Sequence, residues 1–191
     1  VRTHAVLAHA EVQVAAGPVV GVEDAATLDH RAGVSGEVGS AADEATTVLV
    51  VRHAEKASAT AVDPPLSAAG RARARALAHV AGSAGLSALY VTQYKRTAAT
   101  VAPLATRLHL TPILHPAADT PGLVADIQAN RRGQTVLVAG HSNTVPEIVK
   151  QLTGVPMDDI PDSQFDNLYV VVLPSGGPAR LTHLKYGAPT P

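Results

Sequence analysis

Cysteine is absent from the 191 residues. Disulfides, thiolate nucleophiles and zinc–thiolate sites are excluded with it. Tryptophan is absent too, and aromatic residues make up only 3%, too few for a ring platform on which single-stranded nucleic acid would stack. Neither sign of charge dominates. The formal net charge is -1, so no bulk field draws the chain towards nucleic acid or an anionic membrane. No apolar run reaches the length of a transmembrane helix. Val1 does not open the basic-then-apolar pattern of an export signal. The expected location is the cytoplasm, or outside it if a signal was removed before Val1. What is abundant is apolar residues, at 46%. That is enough for a sizeable core and one folded domain.

Texture changes along the chain. Residues 1–45 hold a partly alternating run, Val6 to Val14, followed by a stretch rich in Gly, Ala, Ser and acid. They read as an N-terminal extension, partly irregular, with one short strand. Residues 46–188 read as the catalytic domain. Thr46 to Val51 is a continuous apolar and β-branched run, the pattern of a strand buried on both faces. Ser67 is a helix N-cap, and the helix runs to about Ala81. Leu89–Val91 is a short strand, and Arg96–Leu108 is a helix despite Pro103. Residues 110–114 form a strand and residues 121–131 a helix with Pro in its first turn. Residues 135–140 form a second strongly apolar strand, followed by a helix over 144–152. Two closing strands, 167–173 and 179–186, flank the turn at 174–178 as a hairpin. Strands alternating with helices predict an α/β fold. It is a three-layer sandwich with a mostly parallel central sheet and helices on both faces.

In an open parallel sheet, ligands bind beyond the carboxyl ends of the strands. Three segments fall there: RHAEK after the first strand, TQYKRTAAT after the second and GHSNT after the strand that ends at Gly140. They bring Arg52, His53, Arg96 and His141 towards one crevice. The arginine fork matches phosphate oxygens in pairs. Helices that begin after Arg96 and His141 add backbone N–H groups and positive dipole ends. The ligand expected from these residues is a phosphate group, with His53 placed to attack it.

The three segments, in this order and each after a strand, resemble the histidine phosphatase superfamily, also called phosphoglycerate-mutase-like. The resemblance covers Thr46 to about Tyr186. Ala54 stands where the family usually has Gly, which is similar to the compact RHAEK-type phosphatases. The resemblance implies that His53 is the nucleophile of a phosphohistidine intermediate. It implies that Arg52, Arg96 and His141 hold the phosphoryl oxygens, and that no metal or other cofactor takes part. Family members commonly protonate the leaving group with a carboxylic acid between the second Arg and the second His. Asp119, in the loop before the third helix, is the expected acid, and Asp126 is set inside the helix. Glu55, Ser142 and Asn143 are candidate substrate-binding residues. The expected substrate is a phosphomonoester or phosphohistidine, and the expected partner is a small phosphorylated molecule or a phosphohistidine protein. Nucleic acid and membrane are not expected partners. The chain is expected to act as monomer or dimer.

Other readings of the same residues carry less. GHSNT approaches the nucleophile elbow G-x-S-x-G, but Thr144 stands at the second Gly. RARARA, residues 71–76, suggests a nucleic-acid patch. A helix sends Arg71 and Arg75 to one face and Arg73 to another, so a solvated face is expected. His4, His9 and His30 share no element with metal-ligand spacing. Asp166 and Asn167 either line the pocket or form the turn into a strand. Two rival activities remain: a mutase on the same scaffold, which usually carries a longer insertion before the second His, and a non-catalytic phosphate binder.

Overall fold

The computed structural model describes residues 45–191. The N-terminal extension up to residue 44, with the strand expected near Val6 to Val14 and His4, His9 and His30, lies outside the described residues. Thr46–Arg52 is the first strand, β1. It is followed by α1 (Ala68–Ala81), β2 (Leu86–Val91), α2 (Lys95–Leu108), β3 (Ile113–Leu114), α3 (Thr120–Asn130), β4 (Thr135–Gly140), α4 (Thr144–Thr153), β5 (Asn167–Leu173) and β6 (Arg180–Lys185).

The sheet has the order β3-β2-β4-β1-β5-β6. β1 pairs parallel with β4, which pairs parallel with β2, which pairs parallel with β3. β5 is antiparallel to β1, and β6 to β5, closing the hairpin that the turn residues predict. β1 has strands on both edges and helices on both faces, which is why its sequence is apolar at every position from Val48 to Val51. Val48 and Val50 face the core shared with α3 and α4. Leu49 and Val51 face the core shared with α1 and α2. A right-handed crossover explains this split. The chain moves outward through α1 and α2 to β3. It then turns back through α3 and α4, so the second pair of helices covers the other face.

Local chemistry sets the helix ends. Ser67 Oγ accepts from Gly70 N at 3.0 Å and opens α1. α4 stops at Gly154, whose φ of 75° is left-handed. α2 absorbs Pro103 without ending. Two strands differ from the sequence expectation. β2 starts at Leu86 because Leu86 and Ala88 already pair with β4, across a register shift that hides the alternation. β3 shrinks to two residues, since Pro112 has no N–H and only Ile113 and Leu114 pair with β2.

Candidate active site

β1, β4 and β2 are neighbours and parallel, so their carboxyl ends share one edge of the sheet. Each ends in chemistry. Arg52 is the last residue of β1 and His53 the next; Thr92, Tyr94 and Arg96 follow β2; His141 follows β4. His53 N bonds to Gly140 O at 2.9 Å, locking the two strand ends together. Arg52, His53, Arg96 and His141 line one cavity of about 400 Å³, with Ser142 and Asn143 beside them.

The hydrogen bonds fix both histidine tautomers. His53 Nδ1 lies 2.8 Å from Ala54 O. A carbonyl only accepts, so Nδ1 carries the proton and Nε2 keeps its lone pair. Arg96 Nη2 lies 3.4 Å from His141 Nδ1. A guanidinium only donates, so the His141 proton sits on Nε2 and is given to Thr92 Oγ1 at 3.0 Å. Burial depresses His53 to about 3; the Ala54 carbonyl opposes that shift, while His141, Arg52 and Arg96 reinforce it. Burial, Arg96, Arg52 and Lys56 depress His141 to about 4. Both imidazoles are therefore neutral at pH 7, the form a nitrogen nucleophile requires.

The arginines are held from behind. Arg52 is 3% exposed. Its Nη1 donates to Pro161 O at 2.7 Å and Gln164 O at 3.0 Å, and its Nη2 donates to Asp162 Oδ1 at 3.0 Å. Phe165, the only Phe in the chain, lies against the guanidinium at 4.4 Å. Tyr94 does the same for Arg96 at 4.2 Å. Burial lowers the Arg52 pKa, although Asp162 opposes the shift. The Nε atoms of Arg52 and Arg96 are both buried and have no hydrogen-bond partner among the described residues. A buried charged donor without an acceptor is costly. Both arginines line the same cavity, where two fixed positive charges favour an anion.

The loop after His53 is fixed as firmly. Ala54 N donates to Thr100 Oγ1 at 2.9 Å, and that hydroxyl donates to Arg96 O at 2.7 Å. The α1 backbone passes so close to Glu55 O that a Cβ on Gly70 would collide with it. Glu55 itself turns away from the cavity, contrary to its expected role in substrate binding. Its carboxylate accepts from Arg73 Nε and Nη2 at 2.8–3.1 Å. Arg73 is correspondingly buried rather than on a solvated face, while Arg71 and Arg75 are exposed as expected.

Asp119 is also not among the cavity-lining residues. It is the N-cap of α3: Oδ1 accepts from Gly122 N at 3.0 Å, and Oδ2 lies 3.3 Å from His115 Nε2. Asp126 binds the Tyr90 hydroxyl. Asp166 and Asn167 are structural. Asp166 accepts from Thr190 and Lys185, and Asn167 pairs with His183. The residues that sequence reasoning passed over are Lys56, Gln93, Tyr94 and Asp162, all lining the cavity. Lys56, Gln93 and Tyr94 stand inside segments already singled out, so their placement was open to inference. Asp162 carries no local signal. Among the described residues no group of three His, Asp or Glu side chains is arranged to hold a metal ion.

Comparison with known proteins agrees with this geometry. Residues 48–119 match the model of the histidine phosphatase superfamily, branch 1. No curated protein sequence matches the chain significantly. Among solved structures, the fold is similar to the protein histidine phosphatase SixA complexed with tungstate, at 21% identity and a TM-score of 0.59, covering 73% of this chain and 96% of that one. It is similar to a putative phosphohistidine phosphatase SixA from Nakamurella multipartitia, at 22% identity and a TM-score of 0.56, covering 75% and 98%. It is also similar to the mycobacterial glucosyl-3-phosphoglycerate phosphatase, at 15% identity and a TM-score of 0.57, covering 72% and 97%. The span matched by the family model holds two of the three strand-end segments, and the structure sets the third, with His141, beside them on the same sheet edge, in a fold similar to that of these phosphatases.

Proposed function

We propose that the protein is a phosphatase that hydrolyses a phosphomonoester or phosphohistidine through a phosphorylated His53. The observation that carries this reading is that His53, whose Nε2 keeps its lone pair, and the two arginines Arg52 and Arg96 line one cavity. His53 Nε2 attacks phosphorus, and the bond from phosphorus to the leaving group breaks. The Nδ1–H bond to Ala54 O steadies the positive charge that the phosphorylated imidazole gains. Arg52 and Arg96 hold the non-bridging oxygens as charge builds on them, and His141, tied to Thr92 through Nε2, positions Arg96 through Nδ1. Water then attacks phosphorus, inorganic phosphate leaves and His53 is regenerated neutral. Between Arg96 and His141 the chain is occupied by α2, β3, α3 and β4. That leaves no insertion to close over the site, which favours hydrolysis over a mutase reaction.

The test is release of p-nitrophenol from p-nitrophenyl phosphate by wild type and His53→Ala in the presence of EDTA. Wild type is expected to turn over and to yield an acid-labile phosphoenzyme on quenching. His53→Ala is expected to do neither while keeping the wild-type circular dichroism spectrum. Turnover by a folded His53→Ala protein would remove His53 as the nucleophile.

A further inference from the structure

The quartet of Arg52, His53, Arg96 and His141 accounts for one end of the cavity and leaves Lys56 unexplained. Lys56 stands on a short extended segment whose backbone is fixed on both sides. It forms an antiparallel bridge with Leu66, Ala57 N bonds to Pro65 O at 2.9 Å, and Ser67 N bonds to Glu55 O at 2.9 Å. Side chains alternate along such a segment. Glu55 goes to Arg73, so Lys56 goes the other way, into the cavity wall. Its charge reaches His141, whose pKa it helps to lower. No ion pair among the described residues involves Lys56. Among the described residues the one carboxylate lining the cavity, Asp162, is taken by Arg52 at 3.0 Å, and Asp63 sits 3.8 Å from Arg96. The cavity of about 400 Å³ is space for on the order of a dozen waters at ~30 Å³ each, more than one phosphate group fills.

We infer that Lys56 forms a second anion subsite, so that the preferred substrate carries a carboxylate or second phosphate within a few bonds of the phosphate to be removed. This rests on the phosphatase reading for the role of the first subsite. The Asn143 side chain, which makes no capping bond to α4, and Ser142 line the same cavity and add polar groups for such a substrate.

The experiment is calorimetric binding of non-hydrolysable probes to the full chain at low salt. Phosphonoacetate carries the second anion, ethylphosphonate lacks it, and methylenebisphosphonate replaces the carboxylate with a second phosphonate. Wild type is expected to bind phosphonoacetate about fivefold or more tightly than ethylphosphonate, the size of a partly screened ion pair. Added salt should shrink the gap. Lys56→Gln should bring the ratio to about one, and Lys56→Arg should keep most of it. A methylenebisphosphonate affinity above that of phosphonoacetate would name the second anion as a phosphate; the reverse order would name it as a carboxylate. Equal binding of phosphonoacetate and ethylphosphonate by wild type, or a gap that survives Lys56→Gln, overturns the inference. Turnover of p-nitrophenyl phosphate is read separately. A protein that turns it over without discriminating the probes sinks only the second subsite. One that discriminates them without turnover sinks only the phosphatase reading.

Discussion

Arg52 and Arg73 are each 3% exposed, and they stand on opposite sides of the same loop. Arg73 uses all three of its nitrogens. Nε and Nη2 hold Glu55, while Nη1 donates to Tyr186 O at 2.8 Å and Nη2 to Ala188 O at 2.9 Å. Arg52 has two backbone carbonyls, a carboxylate whose own side chain is 96% exposed, and a buried Nε with no partner. The first arginine is a fastener, tying the His53 loop and α1 to the C-terminal segment. The second is held rigid along one edge and left unsatisfied on the other. Equal burial conceals the contrast, and the count of satisfied donors reveals it.

Four measurements sharpen or break that contrast. Arg73→Met is expected to cost about 3–5 kcal/mol in urea unfolding, because it strands the Glu55 carboxylate beside carbonyls that lose their donors. Arg52→Gln and Arg96→Gln are expected to lower p-nitrophenyl phosphate turnover by about 10²–10³-fold, with a smaller loss of stability than Arg73→Met. Unfolding as severe in Arg52→Gln as in Arg73→Met would erase the distinction between fastener and clamp.

The third measurement is pH dependence. His53 and His141 fall to about 3 and about 4 in the folded protein, below the ordinary value of about 6.5. Between those limits the unfolded chain binds more protons, so stability rises with pH and is lost as pH falls from about 6.5. Acidification from pH 7 to 5 is expected to cost up to about 4 kcal/mol for the pair, about 2 from each histidine. Below that range Asp166 adds to the loss. Burial would raise its pKa, but bonds from Thr190 and Lys185 hold it at about 2. Nitrogen chemical shifts showing either cavity histidine titrating near 6.5 would contradict this account. The smallest effect is expected at Asp119. Asp119→Ala should cost about 1 kcal/mol as a lost helix cap and should slow alkyl and aryl phosphates equally. A selective loss on alkyl phosphates would return Asp119 to the mechanism as the acid.

The parts of the molecule legible in the sequence share a local cause. β1 and β4 are unbroken apolar runs because they are covered on both faces, and the cations that follow them could be assigned to the sheet edge with no knowledge of packing. The hairpin of β5 and β6 was readable from its turn residues. What escaped depends on distant partners. Glu55 sits two residues from His53 and looks like part of the site until Arg73, on the next helix, claims it. Asp162 reaches Arg52 across more than half of the described chain, and nothing near Asp162 marks it. Asp119 was read as an acid because it lies in the right interval, yet its loop is also the start of a helix, where an aspartate most often caps. Helix geometry sets Arg73 on a different face from Arg71 and Arg75, but only its distant partners, Tyr186 O and Ala188 O, together with Glu55, make that face a buried one.

The pairing of residues 55–57 with 65–67 has a consequence for how such a protein can change. The two segments close a loop over residues 58–64 at its base, next to His53, while Val62 O and Asp63 on the same loop lie 3.5 Å and 3.8 Å from Arg96. Val62 at the tip is 88% exposed. Closing a longer loop costs little, about 0.6 kcal/mol per doubling. Insertions at residues 59–61 therefore give evolution, or an engineer, a place to add recognition surface near the cavity mouth while His53 keeps its position. Substrate preference can drift in this scaffold while His53 stays in place, because the variable segment begins and ends on fixed backbone bonds, and the limit on that drift is set by Val62 and Asp63, which steady Arg96.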